Sequence, residues 1–319
     1  MIRIALVGCG EHSEGSHAAP LARYAARSAG EVSLAAACDI NPARAEEFCR
    51  RFGFARAYSD LNELLAGGAA DACVTVMPVA RIAEVGASLL KRGMPCVIEK
   101  PLGASLAEVE GLARVARETA TPHMVSVNRR FLPYLNRAVE FVGESGGSRY
   151  VRATLARHAR DESDFIQTTA IHAVDALRHI AGEVADFEAQ AIRGGRASAR
   201  WCVISFDFEG GVAGQVEILP TAGAVEETYE LFGEGVRAQV VCGSGSQRHL
   251  RCWRGGRLEV EEAADDQPED VRNGGYDEVV EFVRALASGR RPRPTVEDVL
   301  PSARICFSVA ESFSALKAN

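Results

Sequence analysis

The chain has no C-x-x-C pair; its nine cysteines are scattered through 319 residues. That excludes paired-thiol redox motifs and cysteine-based zinc sites, and leaves the cysteines as small buried hydrophobes of a reduced, cytoplasmic protein. No apolar run reaches the roughly 18 residues of a membrane-spanning helix, so no membrane partner is expected. Basic charge is in deficit, with a formal net charge of −7 and an isoelectric point near 5.6. Such a balance argues against a nucleic-acid or anionic-membrane surface. A strand pattern begins already at Ile2, with no charged leader or small-residue cleavage site before it. Internal repeats and low-complexity segments are also missing.

What is present is an ordinary globular composition, 47% hydrophobic and 25% charged, in a chain long enough for two cores. Apolar runs without in/out alternation occur at Ile2–Val7, Val32–Cys38, Ala72–Met77, Pro95–Ile98 and Met124–Val127. They predict strands buried on both faces, as in a parallel sheet. Helical stretches lie between them at Pro42–Phe52, Asp60–Leu65, Ile82–Arg92 and Ser105–Glu118. Ser105 and Glu108 open the last as a capping box. This alternation predicts a doubly wound α/β domain. After Tyr150 the pattern changes to alternating strands, such as Tyr150–His158, Cys202–Phe208 and Val212–Ile218, with turn glycines between them. A mostly antiparallel sheet is expected there, with helices at Gln167–Ile180, Tyr276–Ala287 and Val296–Leu316. The domains divide as 1–121 and 122–319, and the C-terminal helix is free to pack back on the first.

The stretch "GCGEHSEGSH" follows the first strand. Gly8 suits the tight turn of a dinucleotide-binding loop, and Gly10 the close approach of backbone N–H groups to a diphosphate. The third glycine of G-x-G-x-x-G falls at Ser13; Gly15 takes the role if the loop is lengthened by two residues. The second strand ends in Asp39, placed to accept hydrogen bonds from both ribose hydroxyls of NAD and to repel the 2′-phosphate of NADP; the alternative is a helix N-cap. Arg44, at helical spacing, is expected on a solvated face.

"VIEKPL" sets Glu99 and Lys100 at the carboxyl end of a buried strand, where doubly wound sheets bind ligands. A partly desolvated lysine there is lowered toward the range useful for acid–base work; a surface salt bridge is the plainer reading. In "TTAIHAVDALRHIAG", Thr168, His172, Asp175 and His179 share one helical face. His172 is the candidate acid–base partner, with Asp175 orienting it or holding a hydroxyl; His179 reads as solvated. No H-x-x-x-H pair occurs on this helix, and no metal is expected. "NRRF" offers Arg130 as a clamp for a carboxylate, a phosphate or hydroxyls, or as a bridge between domains. "EVEEAADDQPED" reads as an acidic edge loop, and Trp201 and Trp253 as sheet or interface packing.

The glycine loop with His17, "CDINPARA", "YSDLNELL", "DACVTVMP", "EKPL", "NRRF", "AIHAVD" and the tail "YDEVVEFVRALASGRRPRPTVED" resemble the Gfo/Idh/MocA family of NAD(P)-dependent oxidoreductases over nearly the whole chain. The resemblance implies a Rossmann domain joined to an open-faced α+β domain. It further implies hydride transfer between NAD(P) and a carbinol carbon of a sugar, cyclitol or related polyol. Pro78, closing "DACVTVMP", joins Gly8, Gly10, Gly15, Asp39 and Glu99 as the expected cofactor-binding set. The lysine matching Lys100 assists deprotonation of the reacting hydroxyl in that family. The family's D-x-G-x-H-x-x-D keeps His172 and Asp175 here but has Thr168 and Ala170 in place of its first aspartate and its glycine. Threonine is no anionic base, so Lys100 and His172 remain as the catalytic pair, with Arg130, Thr168 and Asp175 toward substrate. NAD is favoured over NADP, and a homodimer or homotetramer is expected. Two other readings stay open: a catalytically silent NAD- and sugar-binding protein, and an NAD-dependent glycoside hydrolase.

Overall fold

A computed structural model describes residues 1–28, 30–192, 200–243, 248–263 and 266–315. The chain divides into two compact units: Met1–Asn128 with Pro268–Ala303, and Arg129–Gln267 with Arg304–Asn319.

The first unit is built on β1 (Ile2–Val7), β2 (Val32–Cys38), β3 (Arg56–Tyr58), β4 (Ala72–Thr75), β5 (Cys96–Glu99) and β6 (His123–Ser126). All pair in parallel, in the order β3-β2-β1-β4-β5-β6. The sheet therefore continues past residue 121 to Ser126. Strand order reverses between β1 and β4, and the crevice outside the carboxyl ends at such a point is where these sheets take ligands. Ile4–Val7 and every residue of β4 and β5 are buried, as strands covered on both faces require.

Local chemistry sets the helix ends. Asn41 caps α3 (Pro42–Phe52): its side chain accepts from the Ala43 N–H at 3.1 Å, Pro42 opens the first turn, and Gly53 closes the helix at φ +82°. Asp60 caps α4 (Leu61–Ala66), accepting from two backbone N–H groups. α5 (Val79–Lys91) begins three residues earlier than its apolar stripe. At α6 (Leu106–Thr119) the Ser105 hydroxyl accepts from the Glu108 N–H, while Glu108 reaches back to the Ala104 N–H at 2.8 Å. The box thus closes one residue upstream of its usual partner. The returning segment carries α9 (Glu269–Arg272) and α10 (Gly275–Ala287), tied to the sheet unit by Asp270 on Arg23 at 2.7 and 3.0 Å.

The second unit holds an eight-stranded sheet: β7 (Tyr150–Ala156), β8 (Val184–Ala191), β9 (Cys202–Phe208), β10 (Ala213–Leu219), β11 (Glu226–Gly233), β12 (Val236–Gly243), β13 (His249–Arg254) and β14 (Arg257–Ala263). The order is β14-β13-β12-β11-β7-β10-β9-β8, antiparallel except for β7 beside β10. Burial alternates along β7, β9 and β10, so one face is covered and the other open. α7 (Pro133–Gly143) packs against β11–β13, and α8 (Ile171–Ala181) against β7 and β10.

Two expectations are corrected here. The acidic stretch from Glu259 is not a loop: its first half is edge strand β14, whose Glu261 lies opposite Arg251 on β13 and pairs with it at 2.8 Å. Cross-strand charge pairing makes a glutamate-rich strand viable. The helix expected from Gln167 starts as a π-helical turn, Ile166–Ala170, and becomes α-helical only at Ile171. Thr168 therefore sits on a different helical period from His172 and Asp175. Residues 264–265 of the acidic stretch and Leu316, the expected end of α11 (Val296–Ala315), lie outside the described residues.

Candidate functional site

Gly8 ends β1 at φ +94°, and a Cβ there would stand 1.9 Å from the Val76 carbonyl oxygen. Only glycine fits so close a backbone approach. A helical segment begins at once after Gly10, as α1 (Glu11–Ser13), a π-helical turn (Glu14–Ala18) and α2 (Ala19–Arg27). The loop is thus of ordinary length rather than lengthened. Ser13 occupies the third-glycine position, fully buried, with its hydroxyl donating to the Gly8 carbonyl. The irregularity lies downstream, in the π-turn. Gly15 lies on that turn, exposed, where a Cβ would meet nothing within 4 Å.

Asp39, at the end of β2, accepts from the Cys9 N–H through Oδ2 and from the Asn41 N–H through Oδ1, both at 2.8 Å. It is not the cap of α3, since Asn41 has that role. Its carboxylate is tied instead to the glycine loop.

A cavity of about 570 Å³ lies at the carboxyl ends of these strands. Gly8, Gly10, Asp39, Pro78, Glu99 and Lys100 all line it, so the structure brings together the cofactor-side set with the exception of Gly15. Gly10–Ser13 form part of its wall, which turns the amino end of a helical segment toward any bound anion. Arg44 is exposed, as expected, and also lines the cavity.

Glu99 is 5% exposed. Its Oε1 faces His12 Nε2 at 2.7 Å and His17 Nε2 at 3.5 Å, and its Oε2 accepts from the Lys100 backbone N–H. Burial alone would raise its carboxyl, but hydrogen bonds from both imidazoles and the charge of Lys100 hold it well below the ordinary range. Lys100 itself is half-buried at the strand end.

The second unit carries the other expected residues. His172 and Asp175 lie three apart on α8, both buried, while His179 is exposed. Asp175 takes both prongs of Arg130 at 2.8 Å each, so these two form a charge-compensated pair. The Thr168 hydroxyl donates to the Asp164 carbonyl at 2.9 Å. Arg129 is likewise engaged: Glu227 accepts from Arg129, from Arg157 and from the Tyr229 hydroxyl. Burial would raise the Glu227 carboxyl, yet the two guanidinium groups hold it far below the usual range.

The sequence places Ser13 at the third-glycine position but does not show its fitness to replace the glycine there, and three further residues escaped the sequence reading. His12 had no usable signal, because its partner Glu99 is 87 residues away. Nor had Arg157 and Glu227, which meet across β7 and β11.

A parallel sheet in the order β3-β2-β1-β4-β5-β6, with a glycine turn after β1 and an aspartate after β2, defines a dinucleotide-binding protein. Residues 2–128 match the family model described as an oxidoreductase family with an NAD-binding Rossmann fold. Over these residues the chain matches the NAD-binding Rossmann domain of the Gfo/Idh/MocA family of oxidoreductases. It is 27% identical over 278 residues to the D-apiose dehydrogenase of Rhizobium rhizogenes, covering 80% of this chain and 74% of that protein. It is 24% identical over 325 residues to a 4-carboxy-2-hydroxymuconate-6-semialdehyde dehydrogenase of a Sphingobium species, covering 95% and 96%. A solved Gfo/Idh/MocA family oxidoreductase from Vibrio cholerae shares the fold over 100% of both chains, with a TM-score of 0.85 at 20% identity. No described helix is long and apolar enough to cross a membrane.

Proposed function

We propose that the protein oxidises a carbinol carbon of a sugar, cyclitol or related polyol, using NAD in preference to NADP. The observation that carries this reading is the convergence of Gly8, Asp39 and the Glu99-Lys100 pair on one cavity. The residues present fit a dinucleotide: the Gly8 turn leaves no room for a Cβ, and Asp39 keeps acceptor capacity beyond the two backbone bonds that fix it. NAD, when bound, supplies the hydride acceptor.

The chain's own part is positioning and proton transfer. Gly8 and Gly10 let backbone N–H groups approach the diphosphate. Asp39 accepts from the ribose hydroxyls and repels a 2′-phosphate, a preference that stands although Arg44 shares the cavity wall. Pro78 and Glu99 complete the cofactor side. Lys100 takes the proton of the reacting hydroxyl at Nζ, and His172, on the second unit, is the second acid–base residue. Arg130, Asp175 and Thr168 are the substrate-side residues. Arg130 and Asp175 neutralise each other, which favours a neutral, hydroxyl-rich substrate over an anion. The similarity to a D-apiose dehydrogenase supports the sugar class. The open sheet face of the second unit is the proposed contact of a homodimer or homotetramer acting in the cytoplasm.

The test is a fluorescence titration with NADH and, in parallel, NADPH, followed by a screen of sugars and cyclitols with Lys100→Met as control. Saturable NADH binding and Lys100-dependent reduction of NAD by a polyol are expected. Absence of binding by folded, cofactor-free protein would sink the proposal.

A further inference from the structure

The first helical segment points to a further site in the cavity wall. His12 and His17 are five residues apart, a spacing that leaves two side chains about 140° apart around an α-helix of 3.6 residues per turn. The π-helical turn Glu14–Ala18 widens the helix between them and brings both imidazoles to one carboxylate. Such turns are rare and concentrate at functional sites. One ring nitrogen of His12, one of His17 and a Glu99 carboxylate oxygen all lie within 4.8 Å of one another. The two rings stand 80° to each other with centroids 6.3 Å apart, so they approach the carboxylate from different sides.

We propose that His12, His17 and Glu99 form a binding site for one divalent transition-metal ion of the zinc class. Two imidazoles and a carboxylate are the donor set of open zinc sites, and imidazole selects zinc, cobalt or nickel over magnesium or calcium. The supporting contacts are in place. The Lys100 N–H holds Glu99 Oε2, which aims Oε1 at both imidazoles, and Ser16 Oγ lies 3.5 Å from His12 Nδ1. Tetrahedral donors at the usual zinc distances stand about 3.4 Å apart. His17 and Glu99, at 3.5 Å, already have that separation. His12, at 2.7 Å, must withdraw slightly, and its side chain, 56% exposed, has room to do so. The other two side chains are only 3% and 6% exposed, so the open fourth position faces the cavity on the His12 side. In binding, the ion takes the place of the hydrogen bonds between Glu99 and the two imidazoles. The site requires no bound nucleotide.

The experiment is a titration of the full, chelator-treated, nucleotide-free protein with Zn²⁺, and separately with Co²⁺ as a spectroscopic probe. One equivalent of Zn²⁺ bound, with the visible ligand-field spectrum of four-coordinate Co²⁺, is the expected result. His12→Ala should weaken binding by at least about tenfold, and His12→Cys should restore it with a thiolate charge-transfer band. His158→Ala, at an exposed histidine of the second unit, should leave binding as it was. No binding above a buffer blank, six-coordinate Co²⁺, or binding indifferent to His12→Ala would each overturn the proposal. NADH binding by the metal-free protein is measured alongside, so a missing metal site and a missing nucleotide site give different results.

Discussion

Asp39→Asn tests the cofactor side most sharply, because the substitution keeps the shape and changes only the bonding. The carboxylate has two oxygens and about four acceptor positions. Two are taken by the Cys9 and Asn41 N–H groups, one on each oxygen. The remaining two match the two ribose hydroxyls of NAD. Asparagine offers a single oxygen, so one backbone N–H must face an NH₂ group, and one ribose bond loses its charged acceptor. A hydrogen bond to a charged group contributes roughly 1.5–3 kcal/mol. Losing one at about 2 kcal/mol weakens NADH binding by about thirtyfold. The N–H left facing the amide costs about 1–3 kcal/mol of stability. NADPH binding should change little or improve, since the charge that repels its phosphate is gone. Parallel titrations with NADH and NADPH, and thermal unfolding without nucleotide, read these effects. NADH affinity kept within about twofold, or a wild-type protein that prefers NADPH, would refute the reasoning.

Gly8→Ala should abolish measurable NADH binding and lower the melting temperature, because a Cβ 1.9 Å from the Val76 carbonyl forces the β1 and β4 ends apart. Gly15→Ala should leave NADH affinity unchanged and raise stability by up to about 1 kcal/mol; loss of binding would restore Gly15 to the cofactor loop. Lys100→Met should cut kcat by about a hundredfold or more, the scale of a lost acid–base group. The Lys100→Met/His172→Ala double variant should cost no more than the worse single one if the two act together, whereas additive losses in steady-state kinetics would separate them. Glu227→Gln should destabilise by about 3–5 kcal/mol, since it leaves Arg129 and Arg157 without their buried carboxylate. The folded carboxyl is held far below its unfolded value. Its contribution is therefore full above the unfolded value and is lost as pH falls toward the folded one. Denaturant unfolding of Glu227→Gln should accordingly lose less stability than wild type on acidification, and parallel curves would contradict the assignment.

What could be read directly from the residues was whatever is encoded locally. α3 runs over the expected residues, Pro42–Phe52, because Asn41, Pro42 and Gly53 mark both its ends. The buried strands β1 and β2 match for a similar reason: continuous apolar runs have few other uses. β3, three residues of mostly exposed chain, has no pattern of its own and exists because β2 offers it an edge. β14 was hidden by its glutamates, which become intelligible only opposite the arginines of β13. At the site, Gly8, Asp39, Glu99 and Lys100 stood out because each closes an apolar run. Arg130 stood out as a cation, yet its ion-pair partner Asp175 is 45 residues away, so the pairing was not legible in the sequence.

The late glycine in "GCGEHSEGSH" follows from the same limits of local reading. Periodicity arguments assume about 3.6 residues per turn, so a surplus residue is assigned to the loop, where insertions are usually tolerated. Here the surplus sits in the helix. Had it been placed in an unbroken α-helix, every residue beyond it would be rotated by about 100°. His17, Leu21 and Tyr24, all buried, would then leave the face that packs. Confining the surplus to the π-turn keeps that face in register and leaves the Gly8–Gly10 turn at ordinary length. Ser13 can then replace glycine, because its hydroxyl finds the Gly8 carbonyl instead of clashing with the strand. The same turn draws His12 and His17 together over Glu99, so the feature that spoils the motif also builds the imidazole pair beside Lys100.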